Sequence, residues 1–84
     1  MIKVRLFGIL RLDTGVKELS LEARSVKELL DAAAAELSRA KPEAGLDRKA
    51  LSGCIVAVNG RQVNPSAALT DGDEVWLVPA IAGG

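Results

Sequence analysis

Apolar and polar residues alternate from Ile2 to Ile9. Ile2, Val4 and Leu6 fall on one side; Lys3, Arg5, Phe7 and Ile9 fall on the other. This is the period-two signature of a half-buried strand. The first set reads as a core face, and the two basic residues mark the second as solvent-facing, so Phe7 and Ile9 are apolar residues on an exposed side. Gly8 within the run predicts a bulge or the close approach of another backbone. Asp13-Thr14-Gly15 reads as a turn. Val16 to Glu22 then reads as a second strand, with Leu19 and Leu21 inward, completing a hairpin.

The period changes at Ser25. Val26, Leu29, Leu30, Ala33 and Leu37 recur at helical spacing and form one apolar stripe. Ser25 fits the N-cap, with Glu28 three positions on as in a capping box. The alanine run Ala32 to Ala35 adds intrinsic propensity. Lys41-Pro42 predicts the end, because the residue before proline avoids the helical region. Residues 42–52 are mixed, with a short helical turn expected around Asp47 to Leu51. Gly53 to Asn59 is a β-rich run. Asn59-Gly60 is a hairpin turn signal, since both residues tolerate positive φ. Arg61 to Val63 is the return strand. Glu74 to Val78 is the last strand, closed by Pro79, and residues 80–84 follow as a tail.

An amphipathic helix crossing one face of a mixed sheet of four or five strands, with the first and last strands adjacent and parallel, is an α+β arrangement: a β-grasp, ubiquitin-like roll. The 84 residues suffice for one such domain, residues 1–79, plus the tail.

Composition narrows the function. Eleven basic and 11 acidic residues cancel, so no excess charge is available to neutralise a phosphate backbone, and nucleic acid is not an expected partner. No uncharged run is long enough to span a bilayer. The start of the chain lacks the apolar segment of a secretory leader, and a lone cysteine forms no internal disulfide; both predict a cytoplasmic setting. Histidine and tyrosine are absent, which removes the commonest metal ligand and the commonest general base. A chain of this kind is expected to enter a reaction as substrate or carrier. Cys54 starts an apolar strand with no basic neighbours to activate it and reads as a small core hydrophobe. Asp71, Asp73 and Glu74 form too short a series for a calcium loop and read as a turn.

Two candidate sites remain. Gly83 and Gly84 lack side chains, so a chain end carrying them can pass a narrow channel and present an unhindered carboxylate. Pro79 stops the last strand and frees about five residues, a reach of roughly 15 Å. Phe7, Ile9, Trp76 and Val78 form the second. If the first and last strands are neighbours, alternation puts these four on one face, with Arg11 and Arg61 as candidates for its rim. Such a face suits docking; the alternative is that Trp76 packs into a small second core beneath a loop.

Three segments together resemble a known family: Phe7-Gly8-x-Leu10-Arg11, Leu69-Thr70-Asp71-Gly72-Asp73-Glu74-Val75, and Pro79-Ala80-Ile81-Ala82-Gly83-Gly84. The chain is similar over its whole length to the MoaD/ThiS group of ubiquitin-like sulfur carriers, and most like the MoaD branch, the small subunits of molybdopterin synthase. Two positions depart from the pattern: Ala80 stands where many members have a second proline, and Gln62 where an apolar residue is frequent. The resemblance implies that a ubiquitin-activating-type adenylating enzyme uses ATP to convert the Gly84 carboxylate to an acyl adenylate. A persulfide donor then replaces AMP to leave a thiocarboxylate, and the large synthase subunit receives the tail and passes the sulfur to a pterin precursor of the molybdenum or tungsten cofactor. It further implies that Pro79 and Ile81 join the partner-binding residues, and that the chain holds no cofactor itself. The same chemistry could serve thiamin, cysteine or tRNA thiolation. An activated Gly84 captured by a lysine would instead make the chain a protein modifier.

Overall fold

Strand β1 (Ile2–Leu6) keeps the predicted alternation, with Ile2, Val4 and Leu6 buried and Lys3 and Arg5 exposed. The computed structural model describes residues 1–80. In it the strand stops at Leu6, short of the Ile9 that the alternation suggested. Phe7 is the extended N-cap of a helix, and Gly8 takes φ +57°. Helix α1 (Gly8–Thr14) follows. Ile9 is therefore a helical residue and not a strand residue. Asp13-Thr14-Gly15 is a helix end and not a hairpin turn. The cause is local. Leu10 and Thr14, four apart, are both buried, and the Thr14 hydroxyl donates to the Leu10 carbonyl at 2.7 Å while accepting from the Val16 N–H at 3.0 Å. Gly15, at φ +72°, closes the helix by donating to the Arg11 carbonyl. Strand β2 (Glu18–Leu21) still pairs antiparallel with β1, Ile2 opposite Leu21, but a helix joins the two in place of a tight turn.

Helix α2 (Val26–Ala40) begins and ends where the sequence predicted. The Ser25 hydroxyl accepts the Glu28 N–H at 3.2 Å, and the Glu28 carboxylate reaches back to the Arg24 N–H, one residue before the usual partner. Val26, Leu29, Leu30, Ala33, Ala34 and Leu37 are its buried stripe. A 3₁₀ turn over Pro42–Ala44 and helix α3 (Arg48–Leu51) order the mixed segment. Asp47 caps α3 by accepting the Ala50 N–H, Arg48 pairs with Asp31 of α2 at 2.7 Å, and Leu51 is fully buried.

Strands β3 (Ile55–Val58) and β4 (Arg61–Val63) form a hairpin through Asn59 and Gly60, both at positive φ. Strand β5 (Glu74–Val78) runs parallel to β1 and antiparallel to β3. The sheet order is β2-β1-β5-β3-β4, which places β5 at the centre. Among the described residues, sixteen buried apolar ones make one core, drawn from the inner face of the sheet (Ile2, Val4, Leu6, Val56, Val75, Leu77 among them), from the helices and from Leu69 in the loop before β5. This is the expected β-grasp fold.

The turn before β5 is tied to the β3–β4 hairpin. Asp73 accepts the Thr70 N–H at 2.8 Å and the Asn59 side-chain amide at 3.0 Å, and Asn59 in return accepts the Glu74 N–H at 3.0 Å. The Thr70 bond first, then the Asn59 bond, hold the Asp73 carboxyl below the ordinary aspartate range. A carboxyl whose pKa is depressed by folding stabilises the fold above its unfolded pKa, and that contribution is lost as pH falls through both values. The expected outcome is a denaturation midpoint that declines below about pH 4. The Asp73→Asn protein should show a shallower decline, measurable by urea titration across pH 2–6 (approximate limits set by the carboxylate range).

Candidate functional site

The pleat sends Trp76 and Val78 of β5 outward, away from Val75 and Leu77 in the core. Register fixes what lies beside them. Across the outer face, Glu18, Arg5, Trp76, Ala57 and Gln62 form one row, running from β2 to β4. The next row toward the end of β5 is apolar, with Val78 opposite Ile55. Phe7 lies against Trp76, ring centroids 5.6 Å apart and the planes at 60°, an edge-to-face contact. Trp76 and Phe7 are half-buried against each other and remain partly open to solvent. Trp76 is thus on the outer face and, among the described residues, partly open to solvent rather than buried in a second core.

The polar edge of the tryptophan is already satisfied. Its indole N–H donates to the Glu74 carboxylate at 2.6 Å. Both residues lie on the same side of β5, two apart. A protein covering this face would meet the apolar ring without having to supply a partner for the N–H, which removes a desolvation cost. Toward Asn59 the face becomes charged, with Glu74 level with Lys3, and Lys3 4.0 Å from Glu18. The patch is therefore graded, apolar at the end where the chain leaves β5 and ionic at the other.

The exit of the tail is built from Gly8 and Pro79. The Phe7 N–H donates to the Leu77 carbonyl at 3.1 Å, holding the start of α1 against the end of β5. A Cβ on Gly8 would stand 2.8 Å from the Pro79 Cγ. Gly8 is thus a point of close approach, but in a helix rather than a strand, and the neighbour is the ring of Pro79 rather than a backbone. Gly8→Ala is expected to cost about 1–2 kcal/mol from the left-handed φ alone, and to displace Pro79 in addition. Gly15→Ala has a similar φ but open space around the added carbon, so it should lose only the first part. Thermal denaturation of the two variants, with tryptophan fluorescence reporting on β5, separates the contributions.

The structure brings together Phe7, Trp76, Val78 and Pro79 from the sequence-predicted set. Ile9 is exposed on α1, beside the Gly8–Pro79 contact rather than on the sheet. Ile81, Gly83 and Gly84 lie outside the described residues. Sequence reasoning missed Ile55 and Ala57. The signal was available: Val56 and Val58 alternate inward, so Ile55 and Ala57 must face out, but an unbroken apolar run hid the alternation. Cys54 is partly buried, and that burial pushes its thiol pKa up, leaving it a poor nucleophile. Among the described residues no group of three histidine, cysteine, aspartate or glutamate side chains could hold a metal ion, and no helix is long and apolar enough to cross a membrane.

The sequence model of the ThiS family matches residues 4–84, nearly the whole chain. This chain belongs to the ThiS family. It is a ubiquitin-like sulfur carrier of the ThiS/MoaD type, as the three terminal and near-terminal segments suggested. Solved structures place it among diverse ThiS-like folds. The protein in the Amycolatopsis orientalis BexX/CysO complex is 27% identical, covers 100% of both chains and superposes with a TM-score of 0.72. The complex of subunits 1 and 2 of the Helicobacter pylori molybdopterin-converting factor gives 27% identity, coverage of 99% and 97%, and a TM-score of 0.61. The small archaeal modifier protein 1 of Methanosarcina acetivorans gives 26%, 99% and 95%, and 0.71. The comparison with curated proteins returned no match. Two of these three relatives were solved in complex with a partner protein.

Proposed function

We propose that this ThiS-family chain carries sulfur as a thiocarboxylate on Gly84 and donates it in molybdopterin synthesis. The observation that carries the reading is the reach of the family match through Gly83-Gly84, joined to a tail exit held in place by Pro79 against Gly8. In the proposed sequence the Gly84 carboxylate attacks the α-phosphate of ATP in a ubiquitin-activating-type enzyme and releases pyrophosphate. The terminal sulfur of a persulfide donor then attacks the acyl carbon and expels AMP. A second thiol of the donor cleaves the resulting S–S bond, leaving a disulfide on the donor and the thiocarboxylate on Gly84. A carboxylate does not react with sulfide unaided, so activation in a water-excluding pocket is required. The acceptor is the large subunit of a molybdopterin synthase. The Helicobacter pylori structure supports this choice, since there the comparable chain is one subunit of a molybdopterin-converting factor.

A second reading, protein modification, is favoured by the likeness to a small archaeal modifier protein. Here a lysine amine takes the acyl group and an isopeptide bond forms. Intact-mass spectrometry of the protein from its own cells tests both. Exchange of one oxygen for one sulfur on the free chain is the expected result; Gly84 found only in linkage to lysines would overturn it in favour of conjugation.

A further inference from the structure

We propose that Asn59-Gly60 is a self-modification site, at which the chain converts Asn59 to aspartate or isoaspartate, that Asp73 holds this site shut, and that conversion unfastens the β3–β4 hairpin from the turn that opens β5.

The residue pair has the chemistry. Glycine carries no Cβ, so the backbone nitrogen that follows Asn59 is unhindered. On giving up its proton to water, the Gly60 nitrogen attacks Asn59 Cγ. A bond forms from that nitrogen to Cγ, the Cγ–Nδ2 bond breaks, and ammonia leaves. Water then opens the resulting succinimide at either carbonyl, to aspartate or to isoaspartate. The net change is asparagine plus water to aspartate plus ammonia, with nothing oxidised or reduced. Asn59 and Gly60 are both exposed, so water reaches each step. The other asparagine, Asn64, precedes Pro65, whose ring nitrogen has no proton to lose.

The fold opposes the reaction. Asn59 is tied to the start of β5 by three hydrogen bonds. Its backbone N–H donates to the Glu74 carbonyl at 2.8 Å. Its side-chain amide donates to Asp73 Oδ1 at 3.0 Å, and its side-chain oxygen accepts the Glu74 N–H at 3.0 Å. Both ends of the amide are thus engaged by residues 14 and 15 positions away. Cyclisation requires the amide to leave these partners and bring Cγ to the Gly60 nitrogen. The nitrogen that must depart is the one Asp73 holds. Asp73 is itself anchored by the Thr70 N–H at 2.8 Å, and its depressed pKa keeps it an anion at neutral pH, the stronger kind of acceptor.

The product does not fit the same seat. An aspartate at position 59 has no side-chain N–H to offer. Its carboxylate would stand where the amide now does, against the Asp73 carboxylate, and like charges repel. Isoaspartate adds one carbon to the backbone of a turn set by φ +51° at Asn59 and +84° at Gly60, next to the Val58–Arg61 pair. Either product loses the fastening to the strand that carries Trp76.

The test incubates the full chain at neutral pH, well below its thermal midpoint. Conversion is followed by mass spectrometry of the tryptic fragment Ala50–Arg61, which holds Asn59, with isoaspartate scored by an isoaspartate methyltransferase. The folded wild-type chain is expected to convert slowly, and Asp73→Ala about tenfold faster, the order of effect carried by loss of one hydrogen bond to a charged group. Asp73→Asn keeps an amide oxygen as acceptor and should fall between; it carries the comparison if Asp73→Ala does not fold. In urea, where no tertiary contact survives, wild type and variants should convert at one common rate, faster than the folded wild type. Ala34→Gly, which weakens α2 away from the turn, should convert at the wild-type rate. Asn59→Asp, the aspartate product made directly, should melt below wild type. Equal rates for folded wild type and the Asp73 variants, or a wild-type rate as fast folded as in urea, overturn the restraint by Asp73. Equal acceleration by Ala34→Gly overturns it too, by assigning the rate to global unfolding. An unchanged midpoint for Asn59→Asp overturns the unfastening, and no conversion in urea overturns the site.

Discussion

Deleting Gly84, or appending one alanine after it, is expected to abolish loading of the carrier with sulfur while leaving its thermal midpoint unmoved. The two halves of this expectation have different causes. Loading needs a carboxylate at a fixed distance from the docking face. Pro79 sets the origin of that distance by its seat against Gly8, and the number of residues beyond it sets the reach, at about 3.3 Å each. One residue fewer or more displaces the reacting carbon by that amount, and a displacement of only about 1 Å can reduce a rate by two orders of magnitude. Stability, in contrast, resides in the core, which among the described residues is built from the strands β1, β2, β3 and β5, the helices and Leu69, all before Pro79. Intact-mass spectrometry after incubation with the adenylating enzyme, ATP and a persulfide donor reads the first half; calorimetry reads the second. An extended variant that loads normally would refute the mechanism.

The second large effect is expected at the outer face. Trp76→Glu or Phe7→Glu should weaken binding to the adenylating enzyme or the acceptor subunit by more than about 2 kcal/mol, roughly thirtyfold in Kd. The edge-to-face pair makes the two residues one unit, so the double variant should lose less than the sum of the singles. A carboxylate at position 76 would also stand beside Glu74, which now accepts the indole N–H, adding repulsion at the centre of the patch. Titration calorimetry with purified partner is the measurement. Unchanged affinity in both singles would remove the sheet from the docking surface.

The elements that sequence made legible are those whose signals are strong and redundant. Helix α2 combined a cap at Ser25, a 3.6-residue stripe and a proline stop, and its bounds follow those signals. The β3–β4 turn rested on Asn59-Gly60, a pair suited to positive φ. Parallel pairing of β1 with β5 followed from the crossover helix and topology rules, and it brought Phe7 to Trp76 as expected. Helix α1 was hidden because its first residues extend the alternation of β1. Phe7 and Ile9 fit period two, and only Leu10 with Thr14, followed by Gly15, betray the helix. The error moved Ile9 from sheet to helix, yet kept it near the tail. Ile55 was hidden for the opposite reason, since a run of uniformly apolar residues carries no phase until its partners are known.

The place of β5 in the sheet bears on when the carrier comes into being. A ribosome delivers strands in the order of the chain, so β5 emerges after the four strands it will separate and join. Until then β1–β2 and β3–β4 are two hairpin-like pairs with no hydrogen-bonded contact between them, and Trp76 is not there to complete the face. The most sequence-distant pairing in the sheet, that of β1 with β5, carries the largest loop entropy. A chain cut short before β5 thus has neither a finished sheet nor the face that Trp76 completes.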